Sequence, residues 1–342
     1  MAMNNTKEKL MTAIGPEVKK IEQAMRSDLA EASADCDPLL AEVLDYGIFN
    51  GGKRLRPLLV LLAARLVGAS ANTDEKSQRD LLLLAIAFEY LHGATLYHDD
   101  VIDQAKIRRG KASVVQEFGE IAAILGGDFL HSRSMFLVGS LGGSRALEIF
   151  CYATNAMVDG EFLQLRNARN YNLNEADYFS AVKGKTALLI AATCEIGAMA
   201  GGATEAEQQS LAEYGLGLGT AFQIVDDLLD YQGNAASTGK AVGNDFQEGK
   251  MTLPVILALN KATSIDQKRL LFLLKDEDLR KGGFAEACTL IEKYDGFATS
   301  RKMAESIVAG AVEGLEIFAG EKAVKIVSVL RILAEYVLLR KK

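Results

Sequence analysis

Two acidic clusters stand out along the chain, Asp99-Asp100-Val101-Ile102-Asp103 and Asp226-Asp227-Leu228-Leu229-Asp230. Both read Asp-Asp-x-x-Asp, and both lie in apolar, helix-forming surroundings. In a helix, positions i and i+4 fall about one turn apart on one face. Asp99 with Asp103, and Asp226 with Asp230, therefore pair their carboxylates. Like charges crowded beside an apolar wall repel and need a cation between them. Hard oxygen donors favour Mg2+, which takes one or two carboxylates and keeps its other positions for water and phosphate. Two clusters facing each other would grip a diphosphate through several Mg2+ ions. A single cluster of this kind is usually a solvated helix face. Two, each followed by a basic segment, point to an anion site.

The basic segments are Gly51-Gly52-Lys53-Arg54-Leu55-Arg56-Pro57 and Arg108-Arg109-Gly110-Lys111. Three cations at a helix start oppose the helix dipole, a conflict that a bound anion resolves. Arginine grips phosphate with two donors, and lysine adds a point charge. A polar loop, Gly233 to Lys250, follows the second cluster and carries Lys240 and Lys250. Its composition suits a mobile lid over an anionic ligand. His92 is spaced to share a helix face with Leu96, Asp99 and Asp103, while His98 is divided between outward packing and a supporting role. Gly219, Gln223, Asp226, Asp227 and Asp230 share a face of the second helix.

Other motifs fail. Gly184-Lys185-Thr186 ends like a P-loop, but Phe179 stands where that motif needs glycine. Gly215-x-Gly217-x-Gly219 reads as close helix packing, and no Ser-His-Asp or Cys-His nucleophile arrangement has the right spacing.

What must position these residues is helical. Four prolines and no tryptophan in 342 residues, with abundant Ala, Leu, Glu and Lys, favour long helices. No alternating β-branched segment suggests a strand. The spacing predicts helices over 5–32, 38–47, 55–67, 77–104, 111–117, 120–138, 144–167, 174–200, 205–231, 251–262, 266–274, 283–296, 298–315 and 321–339. Gly-Gly pairs at 51–52, 126–127, 142–143, 201–202 and 282–283, and the polar loop Ser70–Thr73, are the expected breaks. No Pro/Gly/Ser-rich linker divides the chain, so residues 1–342 read as one all-α domain. A net charge of −7 argues against nucleic acid. Four scattered cysteines, without a Cys-x-x-Cys pair, read as reduced core thiols of a cytoplasmic protein. No signal peptide is visible, and the longest apolar run, Leu81–Phe88, is too short to span a bilayer. Peripheral membrane contact through an apolar product stays open.

Taken in order, the motifs resemble the trans-isoprenyl diphosphate synthases, or polyprenyl synthetases. The resemblance runs from about Leu39 to Arg340. It rests on Gly51-Gly52-Lys53-Arg54-x-Arg56-Pro57, His92, His98-Asp99-Asp100-x-x-Asp103, Arg108-Arg109-Gly110 and Gly126-Gly127-Asp128. It continues through Gly160-Glu161-x-x-Gln164, Lys185-Thr186, Phe222-Gln223-x-x-Asp226-Asp227-x-x-Asp230 and Gly239-Lys240-x-x-Gly243-Asn244-Asp245-x-x-Glu248-Gly249-Lys250. Ser113 and Ala241 depart mildly from the usual threonine and proline.

The resemblance implies a single-domain helical bundle of the isoprenoid synthase type, with a central active-site cavity and usually a homodimer. It implies head-to-tail condensation of isopentenyl diphosphate with an allylic diphosphate through a carbocation. Asp99, Asp100, Asp103, Asp226 and Asp230 would hold Mg2+. Arg108, Lys185, Thr186, Gln223, Lys240 and Lys250 would contact the allylic substrate. Lys53, Arg56, His92 and Arg109 would bind isopentenyl diphosphate. Asp99, Asp103, Asp226 and Lys185 would carry most of the catalysis. In this family, bulky aromatics about one turn before the first cluster stop elongation. Ala94 and Thr95 are small here, so a long product of the hexaprenyl-to-decaprenyl class, used for quinone side chains, is expected, with a deeper floor at Met135 or Phe136. The competing readings are a farnesyl or geranylgeranyl synthase, a class I terpene cyclase, a head-to-head synthase and a non-catalytic subunit. The Lys53, Arg56 and Arg109 set argues against cyclisation, and two intact acidic motifs argue against an inactive subunit.

Overall fold

The computed structural model describes residues 2–68, 74–233 and 242–340. Helices α1 (Ala2–Ala32), α2 (Pro38–Ile48), α3 (Leu55–Val67) and α4 (Glu75–Ile102) come first. A ribbon of β1 (Ile107–Arg108) and β2 (Lys111–Ala112) leads to α5 (Val114–Phe118) and the long α6 (Glu120–Arg169). Helix α7 (Glu175–Val182) passes through a π-helical turn, Lys183–Ala187, into α8 (Leu188–Ala200) and then α9 (Glu205–Gln232). The remainder is α10 (Asn244–Gln247), α11 (Leu253–Lys261), α12 (Ser264–Leu273), α13 (Glu277–Lys293), α14 (Gly296–Glu313), a 3-10 turn at Gly314–Ile317, and α15 (Glu321–Leu339).

Helix starts follow side-chain chemistry. Asp74 accepts from Ser77 N–H ahead of α4, and Thr204 with Glu207 forms a reciprocal capping box ahead of α9. The core is built around α3 and α8, whose residues are mostly buried. Helices α3, α4, α6 and α8 pack pairwise in a closed circuit, and α9 lies against α8 and α14. Small residues allow the closest crossings. A Cβ on Gly215 would come within 2.7 Å of the Ile190 carbonyl, and one on Gly219 within 2.7 Å of Ala187 Cα. The Gly-x-Gly-x-Gly segment is a packing face, as its sequence suggests.

The all-α class holds, with local departures. Residues 111–112, expected to open a helix, pair instead with 107–108, in register Ile107 to Ala112 and Arg108 to Lys111. Gly126-Gly127 and Gly282-Gly283 sit inside helices rather than breaking them. Tyr97 and His98 pack onto the first pair, and Leu273 onto Gly283, where a side chain would collide. The expected break at 142–143 is a distortion at Gly143 (φ 76°) within α6. Helix α13 begins at Glu277, ahead of the expected 283. Cys36 is exposed, so not every thiol belongs to the core. By length and composition α4 and α6 could each cross a bilayer, yet most of the qualifying stretch of α4 is buried within the molecule.

Candidate active site

Helix α4 ends in the first acidic cluster, with Asp103 as its C-cap. Desolvation, then the neighbouring Glu161, push the Asp99 carboxyl up to about 6, with Asp103 adding to the effect against Lys185 and Arg108. Asp100, expected on the metal face, points elsewhere. It is 2% exposed, and one of its oxygens accepts from Arg108 Nε at 2.8 Å and Nη2 at 2.5 Å. The adjacent position is rotated about 100° around the helix, which turns Asp100 away from the Asp99–Asp103 edge.

The ribbon explains where the second basic patch goes. Arg109 (φ 52°) and Gly110 (φ 80°) are its two central residues, the positive-φ pair of a tight hairpin turn. Tyr46 donates to the Ala112 carbonyl at 2.9 Å and fixes the ribbon to α2. Arg109 then reaches back to the Gly51 carbonyl.

These pieces line a cleft with Arg54, Glu89, His92, Asp100, Arg108 and Arg109, among others. His92 thus joins Asp100, Arg108 and Arg109, not Asp99 and Asp103 as its spacing suggested. Burial, then Arg56 and Arg109, hold its imidazole well below the ordinary value, so it is neutral. Of the three cations at the start of α3, Arg54 is structural. It is 3% exposed, donates to Glu89 Oε1 and the Ile48 carbonyl, each at 2.9 Å, and pairs with Glu22 at 3.4 Å. Arg56 differs: its Nε is buried without a hydrogen-bond partner, and burial lowers its affinity for the proton. A buried Nε–H without an acceptor is a donor that a bound anion would satisfy. Lys53 is exposed, its ammonium 4.7 Å from the Tyr336 ring centroid.

Helix α9 carries the second cluster. Asp226 accepts from Arg340 Nη2 at 3.2 Å. Asp230 accepts from Asp245 N–H at 2.9 Å, and desolvation followed by the Asp245 charge pushes it up to about 6. Asp227 is buried like Asp100. Its oxygens accept from Tyr178 Oη at 2.7 Å and Gln223 Nε2 at 2.9 Å. Gln223 in turn accepts from Thr186 Oγ1 at 2.9 Å.

Lys185 lies between the two acidic regions. It contacts Glu161 at 2.6 Å and Gln164 at 2.9 Å, both on α6. Its charge reaches Asp99, and it lines a second, narrow cleft with Gln223 and Asp227. The π-helical turn places it there, at a glycine-to-glycine crossing of Gly160 and Gly184. Lys250 is occupied by Asp245 at 3.0 Å and Glu248 at 2.7 Å. Lys240, with residues 234–241 of the expected lid, lies outside the described residues, while 244–247 of that segment form α10.

Among the described residues no three His, Cys, Asp or Glu side chains gather closely enough to hold a metal alone. The donor set nonetheless fits Mg2+. It consists of hard carboxylate oxygens offered in pairs, with Asp99 and Asp230 both crowded enough to resist ionisation without a counter-charge. Mg2+ would take its remaining ligands from phosphate and water.

Glu89, Glu161, Tyr178 and Arg340 join the site without having been assigned roles from the sequence. Glu161 carried a signal in Gly160-Glu161-x-x-Gln164, and Glu89 lies one turn before His92. The expected deep floor is not found: Met135 and Phe136 stand on the exposed side of α6.

The polyprenyl synthetase family profile matches residues 37–291. An octaprenyl diphosphate synthase from Haemophilus influenzae is 35% identical over 302 residues, covering 88% of each chain. A crystallised decaprenyl diphosphate synthase from Rhodobacter capsulatus superposes with a TM-score of 0.85 at 35% identity, covering 98% of this chain and 99% of that one. A polyprenyl synthase from Caulobacter crescentus, solved with calcium and isoprenyl diphosphate, gives a TM-score of 0.84 at 32% identity over 98% of both chains.

Proposed function

The chain belongs to the polyprenyl synthetase family, and on that premise we propose that it extends an allylic diphosphate with isopentenyl diphosphate, head to tail, to a long-chain all-trans polyprenyl diphosphate. The observation that carries this reading is the pairing of an acidic, metal-competent site with a separate basic cavity beside an unsatisfied Arg56. Two anion sites suit two diphosphate substrates, whereas a cyclase needs one.

Asp99, Asp103, Asp226 and Asp230 would hold Mg2+, while Asp100 serves Arg108. When bound, the metal neutralises the departing diphosphate. Lys185 meets the same diphosphate from α6's side, with Thr186 and Gln223 next to it. Lys53, Arg56, His92 and Arg109 hold isopentenyl diphosphate with its double bond toward the allylic carbon. Its attack forms the new C–C bond as the allylic C–O bond breaks, and the lost proton passes to the released diphosphate. The protein orients the partners, stabilises charge as it develops and excludes water. No side-chain nucleophile is needed.

The small side chains of Ala94 and Thr95, one turn before the first acidic cluster, support a long product. A second copy of the chain is the partner that suits α6, along which Ile121, Leu125, Phe136, Val158, Phe162 and Leu165 are exposed. The free cysteines accord with the cytoplasm, and the apolar product with release at a membrane surface. The test is incubation of purified protein with isopentenyl diphosphate, short allylic primers and Mg2+, followed by product-length analysis. Hexaprenyl to decaprenyl products are expected; cyclised hydrocarbon, or no consumption of isopentenyl diphosphate, would overturn the reading.

A further inference from the structure

We infer that Tyr178 and Asp227 are positioning residues, which act through Gln223 to set the direction of the Thr186 hydroxyl at the allylic site. The inference rests on the prenyl-transfer reading and adds residues to which that reading gives no role.

The relay can be followed atom by atom. Asp227 is 4% exposed, and its two oxygens are claimed separately, Oδ2 by Tyr178 Oη at 2.7 Å and Oδ1 by Gln223 Nε2 at 2.9 Å. The second of these contacts turns the NH2 of the Gln223 amide toward Asp227. That leaves Gln223 Oε1 to accept from Thr186 Oγ1 at 2.9 Å. The Thr186 hydrogen is thereby spent on Gln223, and the oxygen's lone pairs are what remain for the substrate. Each donor polarises the next, so the hydrogen bond that Asp227 accepts from Gln223 is felt at Thr186 as a more electron-rich oxygen. Tyr178 stands at the far end, on α7, and touches neither Thr186 nor Gln223 through any hydrogen bond of its own among the described residues. Its hydroxyl holds Asp227 in the rotamer that faces Gln223. A narrow cleft lined by Tyr178, Lys185, Gln223 and Asp227 lies beside the relay.

The experiment is a double-mutant cycle in steady-state prenyl transfer, with full-length Tyr178→Phe, Thr186→Val and the combined variant, kcat and both KM values being read separately. Tyr178→Phe alone is expected to lower kcat about ten-fold, the scale of one hydrogen bond to a charged group, with KM for isopentenyl diphosphate unchanged. In the Thr186→Val background the same change is expected to cost less than about two-fold, because the relay has lost its end. Equal factors in the two backgrounds would mean that Tyr178 acts by packing alone, which overturns the inference and leaves the prenyl-transfer reading standing. Should Tyr178→Phe fold poorly, Asp227→Asn replaces it in the same cycle, with the same two outcomes. No prenyl transfer by the unaltered protein would overturn the reading and the inference together.

Discussion

Lys185 owes its position to a backbone contact, and Gly160→Ala tests that dependence. A Cβ on Gly160 would lie 2.5 Å from Lys185 N, 2.9 Å from the Ala181 oxygen and 3.1 Å from the Gly184 carbonyl carbon. All three are main-chain atoms, so no rotamer change relieves the clash. Restoring contact at about 3.5 Å separates α6 from the π-helical turn by about 1 Å. The Lys185 contacts with Glu161, 2.6 Å, and Gln164, 2.9 Å, both cross that gap. Stretched by about 1 Å they leave hydrogen-bond range, and a displacement of that size at a reacting centre costs about a hundred-fold in rate. Overpacking of this kind costs about 1–3 kcal/mol, on the order of 2–6 °C in Tm, which leaves the protein folded at assay temperature. Prenyl transfer and thermal melting of the same preparation are the measurements. Gly310→Ala, on α14 with no atom within 4 Å of its built Cβ, is the companion. It should raise Tm slightly through helix propensity and leave kcat alone. Wild-type kcat in Gly160→Ala, or equal losses in both variants, would show that the glycine crossing does not place Lys185.

Four further outcomes are expected. Asp99→Ala or Asp226→Ala should lower turnover at least roughly a hundred-fold, and chelation should abolish it while the circular dichroism spectrum stays folded; full turnover in excess chelator would exclude the metal role. Arg56→Ala should raise KM for isopentenyl diphosphate more than for the allylic primer, and equal shifts would remove Arg56 from the basic cavity. Thr95 is half-buried, unlike the fully buried Ala94, so Thr95→Phe can seat a ring without overpacking and should shorten the products; unchanged lengths would place the product path elsewhere. Asp99 is pushed up to about 6 from an ordinary 3.8, so between those values the folded state binds more protons than the unfolded one. Its contribution to stability is therefore present at pH 4 and below and lost as pH rises through about 6. Metal-free Asp99→Asn should melt about 1–3 °C above wild type at pH 7.5, with the gap closing toward pH 4; no gap at pH 7.5 would mean the carboxyl is not strained.

The helices and the charged residues were legible because both leave periodic or compositional marks. Asp99 with Asp103, and the basic runs, could be assigned from spacing and charge alone. The ribbon could not, since its turn uses Arg109-Gly110 in place of the asparagine or aspartate that signals a two-residue hairpin. The π-helical turn at Lys183–Ala187 is equally silent, because one extra residue barely disturbs the apolar period over 174–200. Gly126-Gly127 departs in the other direction: a glycine pair predicts a break, but here the missing Cβ atoms admit the Tyr97 and His98 rings. Tyr178 was invisible, since its partner Asp227 is 49 residues away and only the packed fold joins them.

The neighbouring aspartates of each motif divide their work in the same way. Asp99 and Asp226 keep partly open positions, side by side with Asp103 and Asp230 at one-turn spacing. Asp100 and Asp227, one step further around the helix, are both buried and both spent on another element. Asp100 fixes Arg108 of the ribbon, and Asp227 fixes Tyr178 of α7 and Gln223. Three charges of one sign within five residues would be hard to retain on a helix for metal binding alone, because their repulsion is fully present whenever the metal is absent. Arg108 offsets that repulsion at Asp100, while Tyr178 and Gln223 hold Asp227 in place by hydrogen bonds. The middle carboxylate also ties the metal-bearing helix to the element that carries the next substrate contact: Arg108 in the first case, and Thr186, by way of Gln223, in the second. Asp100→Asn should therefore behave unlike Asp99→Asn. It should loosen Arg108 and lower stability, whereas Asp99→Asn stabilises the metal-free protein, and melting curves of the two variants recorded together at pH 7.5 decide between a shared role and a divided one.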